Sequence, residues 1–186
     1  MDYSFEAWKA IEGPHAQLIK DTFQPHRVAD AGCGPGHLVR LLQELNVDAG
    51  GFDTRRYREW VVPDGHLWPF FVSDITEYDD RGHLYDCDLI ICREVLEHLT
   101  VAQLATAVRN LVQLSNKYLY ITTRFTGGSH LLDVDGSDNL DPTHISMMSQ
   151  DYVRSLLVLE GCKRRVDLEQ RLDWQNKRRV LIYEVA

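Results

Sequence analysis

The 186-residue chain is long enough to fold as one domain with a substantial core, and its 44% hydrophobic and 26% charged residues are ordinary for a soluble globular protein. Its apolar stretches are all shorter than the ~18 residues of a membrane span, and its acidic N-terminus lacks the basic segment of a signal peptide, so we expect a cytoplasmic protein. A formal net charge of −8 argues against a broad nucleic-acid-binding surface, although it leaves room for a local basic patch.

The N-terminal segment, residues 1–26, is expected to form a helical cover. Its apolar residues have helical spacing that Gly13 and Pro14 interrupt, which predicts two short helices before the first strand. These helices would either cover a ligand or simply pack on a sheet, and the pattern leaves both roles open.

A glycine-rich turn follows the first predicted strand. The apolar run Val28–Ala31 is followed by Gly32, Gly34 and Gly36 and then by an amphipathic helix over His37–Leu45. The glycines allow positive φ and close approach of a ligand to the backbone. Such a strand–loop–helix unit typically begins an open α/β sheet that binds its ligand at the carboxyl ends of the strands.

Strands and helices continue to alternate along the chain, as apolar runs and helical spacing indicate. Strands are predicted at Asp48–Asp53, Leu67–Val72, Cys87–Cys92 and Lys117–Thr123, and helices over Glu94–His98, Val101–Leu114 and Gln150–Leu159. The polar segment 124–142 is interpreted as a lid or a substrate wall, since binding residues are often carried on such loops.

The C-terminal part of the chain is expected to close the sheet with a hairpin. Cys162–Leu168 and Trp174–Val185 are predicted to be antiparallel strands that turn near Arg171. In such a hairpin the basic triplets 163–165 and 177–179 would lie close together. They would then form either a positive patch or an ordinary solvated edge.

The glycine loop is compatible with two classes of cofactor. A nicotinamide-binding enzyme uses G-x-G-x-x-G, with an acidic residue for the ribose about 20 residues further on. Here the third glycine position of that pattern is His37, and the observed spacing is Gly32-x-Gly34-x-Gly36. Asp53 lies at a distance that suits both classes, so the wider pattern has to decide.

From about residue 20 to the C-terminus the chain resembles class I S-adenosylmethionine-dependent methyltransferases. Five segments carry the resemblance in the family's order: the D-x-G-x-G-x-G loop Val28–Gly36, the acidic strand end Gly51–Asp53, the adenine segment Val72–Ile75, the strand with its E-x-x-E-H-L sequel Tyr85–Leu99, and the D-x-x-H stretch Asp141–His144. The resemblance implies a single Rossmann-like α/β domain over 1–186. Its sheet would be doubly wound and seven-stranded, mostly parallel with an antiparallel C-terminal hairpin strand and with helices on both faces.

The same resemblance implies S-adenosylmethionine as the cofactor and assigns residues to it. The implied contacts are Asp30, Gly32, Gly34 and Gly36 in the loop that holds the amino-acid part, Asp53 for the ribose hydroxyls, Asp74 and Ile75 for the adenine, and the backbone around Cys92 for the methionine amino group. The alternative role of Asp74 is that of a turn or helix-capping carboxylate.

Glu94, Glu97 and His98 have the i, i+3, i+4 spacing of one helix face. We predict Glu97 and His98, with His144 from the later loop, as the catalytic or substrate-contacting residues. Together, Glu94, Glu97, His98 and His144 resemble a metal-binding pattern of small-RNA 3′-end 2′-O-methyltransferases. The shorter motif E-x-x-E-H also occurs in quinone-precursor O-methyltransferases. Because E-x-x-E-H-L is also frequent in class I enzymes without a metal there, we favour a metal-free site.

The sequence is thus interpreted as a methyltransferase that acts on oxygen or nitrogen of a small molecule or of an accessible terminal group. No membrane partner is expected, and nucleic acid is not favoured as a partner. Two alternatives stay open. One is a metal-assisted RNA 2′-O-methyltransferase, and the other is a catalytically silent module of the same fold that binds a partner.

Overall fold

A computed structural model of the chain describes residues 5–57, 70–77, 86–125, 142–146, 148–173 and 178–186. The helices are α1 (Phe5–Phe23), α2 (His37–Glu44), α3 (Val101–Leu114), α4 (Gln150–Leu159) and α5 (Val166–Leu172). The strands are β1 (Arg27–Ala31), β2 (Asp48–Asp53), β3 (Phe70–Val72), β4 (Cys87–Arg93), β5 (Ser115–Thr122), β6 (Lys163–Arg164) and β7 (Val180–Glu184). A short 3₁₀ helix, Leu96–His98, precedes α3.

The strands form a seven-stranded sheet in the order β3-β2-β1-β4-β5-β7-β6. Strands β1 to β5 pair in parallel, whereas β7 is antiparallel to both β5 and β6. This confirms the predicted fold class. The order reverses direction at β1, which lies between β2 and β4, and a crevice for ligands opens at the carboxyl ends of strands at such a point.

Helices cover both faces of the sheet, as predicted. On one face, Ile19 of α1, Leu42 of α2 and Leu172 of α5 belong to one buried cluster. On the other face, Leu104 of α3 and Leu157 of α4 belong to a second cluster. Successive residues of the buried strands alternate between these two layers, which explains why β4 is apolar along its length.

The predicted bounds of β2, α3 and α4 are confirmed. Of the predicted third strand, Phe70–Val72 is confirmed, while Leu67 to Pro69 lie outside the described residues. The predicted loop 124–142 is described only at residues 124, 125 and 142, so its interpretation as a lid stays a prediction.

The prediction of two short N-terminal helices is wrong, because α1 runs without a break through Pro14. Inside a helix proline removes one hydrogen bond and its ring clashes with the carbonyl group four residues earlier, and it also restricts the preceding residue through that residue's Cβ. Gly13 has no Cβ, so the second of these restrictions is eased. The buried residues Ala16, Ile19 and Phe23 continue the apolar face beyond the proline, and packing of this face favours one helix.

The predicted C-terminal hairpin is corrected as well. Antiparallel pairing is present, but β6 has two residues, and helix α5 replaces the expected tight turn near Arg171. Leu168 and Leu172 are four residues apart and pack into the same buried cluster, as residues on one face of a helix do.

Among the described residues of the basic triplets, three arginines face acidic side chains, and the alternatives of a patch or a solvated edge stay predictions. Arg164 binds Glu169 and Arg165 binds Asp167, whereas Arg179 faces Glu94. Lys177 lies outside the described residues. Among the described helices, none is long and apolar enough to cross a membrane.

Candidate active site

The glycine loop between β1 and α2 is fixed by backbone bonds to β2. Gly32, Gly34 and Gly36 have φ angles of 77°, 52° and 80°. The N–H groups of Gly32 and Cys33 donate to the carbonyl oxygen of Phe52 at 2.8 and 3.0 Å. These bonds place the loop over the carboxyl ends of β1 and β2.

Two glycines of the loop have different surroundings. A Cβ at Gly32 would lie 2.4 Å from Cγ2 of Val95, so only glycine fits against the segment that follows β4. A Cβ at Gly34 would meet nothing within 4 Å. The backbone at Gly34 is therefore open on a side from which a ligand can approach closely.

Asp30 lies at the end of β1 and is buried. Burial raises the pKa of its carboxyl group to about 7; the positive charge of Arg93 opposes this shift, and the negative charge of Asp53 adds to it. A cationic ligand group would stabilise the ionised form of this carboxyl group, because burial disfavours a charge that has no partner.

Asp53 ends β2 beside the glycine loop. Its Oδ2 accepts the N–H of Gly34 at 2.9 Å, and the hydroxyl of Thr54 donates to its Oδ1 at 3.3 Å. An ionised carboxylate has about four acceptor positions. Asp53 can therefore hold the loop and still accept hydroxyl groups from a ligand.

Asp74 follows β3 and organises a turn. Its Oδ1 accepts both the N–H and the hydroxyl of Thr76 at 2.8 Å, so the turn role that the sequence left open is present. The neighbouring Ile75 is buried, and its carbonyl oxygen accepts a bond from Asn110 of α3 at 2.8 Å.

The predicted cofactor residues share one location. Asp74, Asp53, Asp30 and Cys92 lie at or just beyond the carboxyl ends of β3, β2, β1 and β4, which are four neighbouring strands. A buried carboxyl group, a half-buried carboxylate and an open glycine backbone suit a ligand with an ammonium group, a ribose and a flat ring. The residues thus fit S-adenosylmethionine, and their individual contacts stay predictions.

The prediction that Glu94, Glu97 and His98 share one helix face is wrong. Glu94 has a φ of 53°, which is not helical, and its N–H donates to the carbonyl oxygen of Thr122 at 2.8 Å. Thr100 and Gln103 form a capping box that starts α3 at Val101. This T-x-x-Q signal was present in the sequence and explains where the helix begins.

Glu97 is buried rather than presented to a ligand. Its Oε2 accepts the hydroxyl of Thr123 at 2.7 Å. Burial, and next the negative charge of Glu94, raise the pKa of Glu97 to about 7. The catalytic role of Glu97 stays a prediction, and this environment favours a positioning role.

His98 and His144 do meet, as the sequence predicted for residues of one site. Their ring centroids are 4.8 Å apart, and Nδ1 of His98 lies 3.2 Å from the carbonyl oxygen of Thr143. A hydrogen on Nδ1 satisfies that carbonyl and leaves Nε2 as a proton acceptor. Across the described residues, however, no group of three or more His, Cys, Asp or Glu side chains is placed to hold a metal ion.

A polar cavity of about 250 Å³ lies beside the predicted cofactor residues, between α1, α5 and the ends of β4, β5 and β7. Its walls are formed by Glu12, His15, Arg93, Glu94, Tyr120, Thr122, Arg124, Leu172, Asp173, Arg179 and Val180. Arg93 and Glu94 directly follow Cys92 in the chain, and the charge of Arg93 acts on Asp30. The cavity is therefore adjacent to the expected position of the cofactor.

A chain of hydrogen bonds forms part of the cavity wall. The Tyr120 hydroxyl lies 2.9 Å from Nε2 of His15, whose Nδ1 lies 3.1 Å from Oε2 of Glu12. Glu12 also accepts Nη1 of Arg93 at 3.1 Å. Burial by itself would raise the pKa of Glu12. The hydrogen bonds and charges of His15 and Arg93 outweigh burial and hold this pKa at about 2.

The ionised Glu12 determines the proton positions in this chain. It requires a hydrogen on Nδ1 of His15, so Nε2 accepts the Tyr120 hydroxyl. Burial lowers the pKa of His15, which keeps the ring neutral at pH 7. A proton from a ligand in the cavity can therefore pass through Tyr120 to His15.

Sequence reasoning missed this cavity. The available signal was the pair Glu12 and His15, which interrupts an otherwise apolar helix face with polar groups three residues apart. The contact of His15 with Tyr120 joins residues 105 positions apart, so no local spacing could reveal it.

Comparisons with known proteins agree with this arrangement. The sequence profile described as a methyltransferase domain matches residues 7–163. A search of curated protein sequences finds no match.

Several solved structures share the fold. The chain is similar to magnesium protoporphyrin IX methyltransferase from Synechocystis PCC 6803 with bound S-adenosylhomocysteine (TM-score 0.66, 19% identity, covering 96% of this chain and 83% of that one). It is similar to a SAM-dependent methyltransferase from Archaeoglobus fulgidus (TM-score 0.67, 16% identity, 97% and 94% covered). It is also similar to 1,6-didemethyltoxoflavin-N1-methyltransferase from Burkholderia thailandensis (TM-score 0.63, 14% identity, 97% and 81% covered). The profile match spans most of the chain and the fold agrees with it, so the chain belongs to the methyltransferase-domain family and is, by family and fold, a class I S-adenosylmethionine-dependent methyltransferase.

Proposed function

We propose that the chain transfers the methyl group of S-adenosylmethionine to an oxygen or nitrogen atom of a small molecule or of an accessible terminal group. The observation that carries this proposal is the 250 Å³ cavity lined by Arg93 and Glu94, which directly follow Cys92, with the charge of Arg93 acting on Asp30. Ligand pockets typically have volumes of about 300–1,000 Å³, so a cavity of this size suits a small acceptor.

The neighbouring structures support the small-molecule class. The protoporphyrin and didemethyltoxoflavin enzymes are both named for acceptors that are small molecules. A metal-assisted reaction at an RNA end has less support, because Glu94, Glu97, His98 and His144 do not assemble into a metal-binding group among the described residues.

The protein's own residues would bind the cofactor, orient the methyl acceptor and take up its proton. When bound, the cofactor supplies an electrophilic methyl group on a positively charged sulfur. Asp30 and Asp53 would hold its amino-acid and ribose parts, and the cavity would position the acceptor for in-line attack, which supplies much of the rate. His15, reached through Tyr120, is the favoured proton acceptor because it lines the cavity, whereas His98 does not.

Asp53→Asn tests the cofactor site. Asparagine can still accept the N–H of Gly34, so the loop is expected to keep its shape, but the charge that strengthens the bonds to the ribose is lost. We expect S-adenosylhomocysteine to bind about tenfold more weakly or worse, since bonds to charged groups contribute ~1.5–3 kcal/mol. Isothermal titration calorimetry measures this affinity.

Asp48→Asn is the matched control. Asp48 lies at the opposite end of the same strand and pairs with Arg27 at 3.1 Å, so its removal should leave the affinity within about twofold. Equal affinities of Asp53→Asn and the unchanged chain would contradict the proposed cofactor site. Cofactor binding without methyl transfer to any member of a panel of hydroxy and amino compounds would favour the silent-module alternative.

A further inference from the structure

The cavity wall contains two arginines that share one acid. Nε of Arg124 and Nη1 of Arg179 both lie 3.6 Å from the same Oε2 of Glu94. Each contact is longer than the ~2.7–2.9 Å of a charge-assisted hydrogen bond. Within the described residues, Nε of Arg124 is buried without a hydrogen-bond partner.

This grouping leaves guanidinium donors in excess of the acceptor that faces them. Each guanidinium group carries five N–H donors and keeps its proton in proteins, and the two groups share one carboxylate oxygen of Glu94. The charges of the whole wall balance, with Arg93, Arg124 and Arg179 against Glu12, Glu94 and Asp173. Arg93 binds Glu12 at 3.1 Å, and Asp173 accepts the backbone N–H of Arg178 at 2.8 Å.

The three residues come from separate parts of the fold. Glu94 and Arg124 follow the adjacent strands β4 and β5, and Arg179 precedes β7, the next strand in the sheet. Their charged groups therefore converge at one end of the cavity by topology rather than by sequence proximity. Guanidinium groups bind planar carboxylates in a fork geometry that a lysine cannot provide.

Resting on the proposed function, we infer that the methyl acceptor carries a carboxylate, which Arg124 and Arg179 bind beside Glu94. One carboxylate supplies an acceptor oxygen for the buried Nε of Arg124, which has no hydrogen-bond partner within the described residues, and its charge suits the two guanidinium groups. The acceptor class is then a small hydroxy or amino carboxylic acid, or a larger molecule whose accessible end has this form.

The experiment uses benzoate as the probe and benzamide as its neutral counterpart. Both are titrated into the full chain loaded with S-adenosylhomocysteine, and calorimetry measures their affinities. We expect benzoate to bind about tenfold more tightly than benzamide, and we expect Arg179→Gln and Arg124→Gln each to remove most of that preference. Glu94→Gln should strengthen benzoate binding, because it removes the competing carboxylate.

Opposite effects of Arg179→Gln and Glu94→Gln distinguish an anion site from a merely structural contact. Arg165→Gln is the matched control, since Arg165 belongs to the other basic triplet and pairs with Asp167 outside the cavity wall. It should leave benzoate binding unchanged. Equal binding of benzoate and benzamide, no detectable benzoate binding, or equal effects of the Glu94 and Arg179 variants would overturn the inference.

The two proposals fail in different ways. Normal binding of S-adenosylhomocysteine without a benzoate preference removes the carboxylate inference and leaves the methyltransferase proposal intact. Failure to bind S-adenosylhomocysteine removes the methyltransferase proposal. The benzoate and benzamide titrations are then run on the chain alone, where the same preference and the same variants decide the anion site.

Discussion

At the scale of single residues, the glycine loop is limited by its contact with Val95. Gly32→Ala would place a Cβ at 2.4 Å from Cγ2 of Val95 on a backbone with a φ of 77°. The left-handed conformation costs about 1–2 kcal/mol for alanine, and overpacking adds about 1–3 kcal/mol. We expect chemical denaturation to show a loss of at least about 2 kcal/mol, together with weaker cofactor binding, because the loop must shift.

Gly161→Ala separates the two causes of this loss. Gly161 has a φ of 85°, but a Cβ there would meet nothing within 4 Å, and the residue lies after α4, away from the loop. It should lose only about 1 kcal/mol and bind S-adenosylhomocysteine normally. If both variants lost the same stability, the contact with Val95 would have no energetic role.

At the scale of elements, helix α5 is attached to the sheet edge through Glu169. Its carboxylate accepts two bonds from Arg164 of β6, at 2.9 and 2.7 Å, and also the N–H of Ile182 of β7 at 3.3 Å. Glu169→Ala would leave these donors without their partner. We expect a loss of about 2 kcal/mol by urea denaturation, since an unsatisfied buried donor costs about 1–3 kcal/mol.

Asp167→Ala is the control for this prediction. Asp167 lies in the same helix and pairs with Arg165, but its side chain is 62% exposed. A surface pair contributes at most about 1 kcal/mol, so the loss should stay below that value. A larger loss for Asp167→Ala than for Glu169→Ala would show that the edge is held differently.

The elements also show what the sequence could predict. Apolar runs and helical spacing predicted β2, α3 and α4 with their observed bounds, since their burial follows directly from local periodicity. The same signals gave wrong predictions where packing outweighs local preference. The helix α1 continues through Pro14, and the two-residue strand β6 is followed by helix α5 rather than by a hairpin turn. The predicted cofactor residues cluster at adjacent strand ends because each follows a strand that could be recognised.

The charged cluster of the cavity wall could not be predicted, because it depends on the order of the strands rather than on local sequence. Glu94, Arg124 and Arg179 lie far apart in the sequence and meet only because β4, β5 and β7 are neighbours in the sheet. The predicted helix face over Glu94 to His98 failed because Glu94 adopts a left-handed conformation with a φ of 53°. Non-glycine residues rarely adopt this conformation, and no local signal announced it.

At the scale of the whole molecule, the sheet concentrates ionisable groups at one edge. The carboxyl ends of β1, β4 and β5 bring together Asp30, Arg93, Glu97 and Arg124 within or beside the buried layers. Burying charges costs stability unless they are paired, and functional sites commonly carry this cost. The pH dependence of unfolding should therefore reflect the site rather than the exposed surface.

The sign of this dependence follows from Asp30 and Glu97. Both have a folded-state pKa of about 7, raised from 3.8 and 4.5, so the folded chain binds protons more tightly than the unfolded chain. Their contribution is fully present below about pH 4 and is lost as the pH rises through 7, at ~1.4 kcal/mol per pKa unit for each group. Glu12, with its pKa lowered to about 2, contributes above pH 4.5 and loses that contribution only in stronger acid.

Asp30→Asn removes one of the two groups that titrate in this window. The neutral asparagine has nearly the same shape and no charge to bury, so the variant should match the unchanged chain only below about pH 4, where Asp30 is protonated in both states. Its free energy of unfolding should exceed that of the unchanged chain at pH 5, and the excess should grow by about 2–3 kcal/mol by pH 8. Urea denaturation at intervals from pH 5 to pH 8 measures both curves, and Glu97→Gln should flatten the profile in the same direction. Parallel curves for all three proteins would show that these carboxyl groups are ionised in the folded chain throughout the range, and the charge of Arg93 would then outweigh the burial of Asp30.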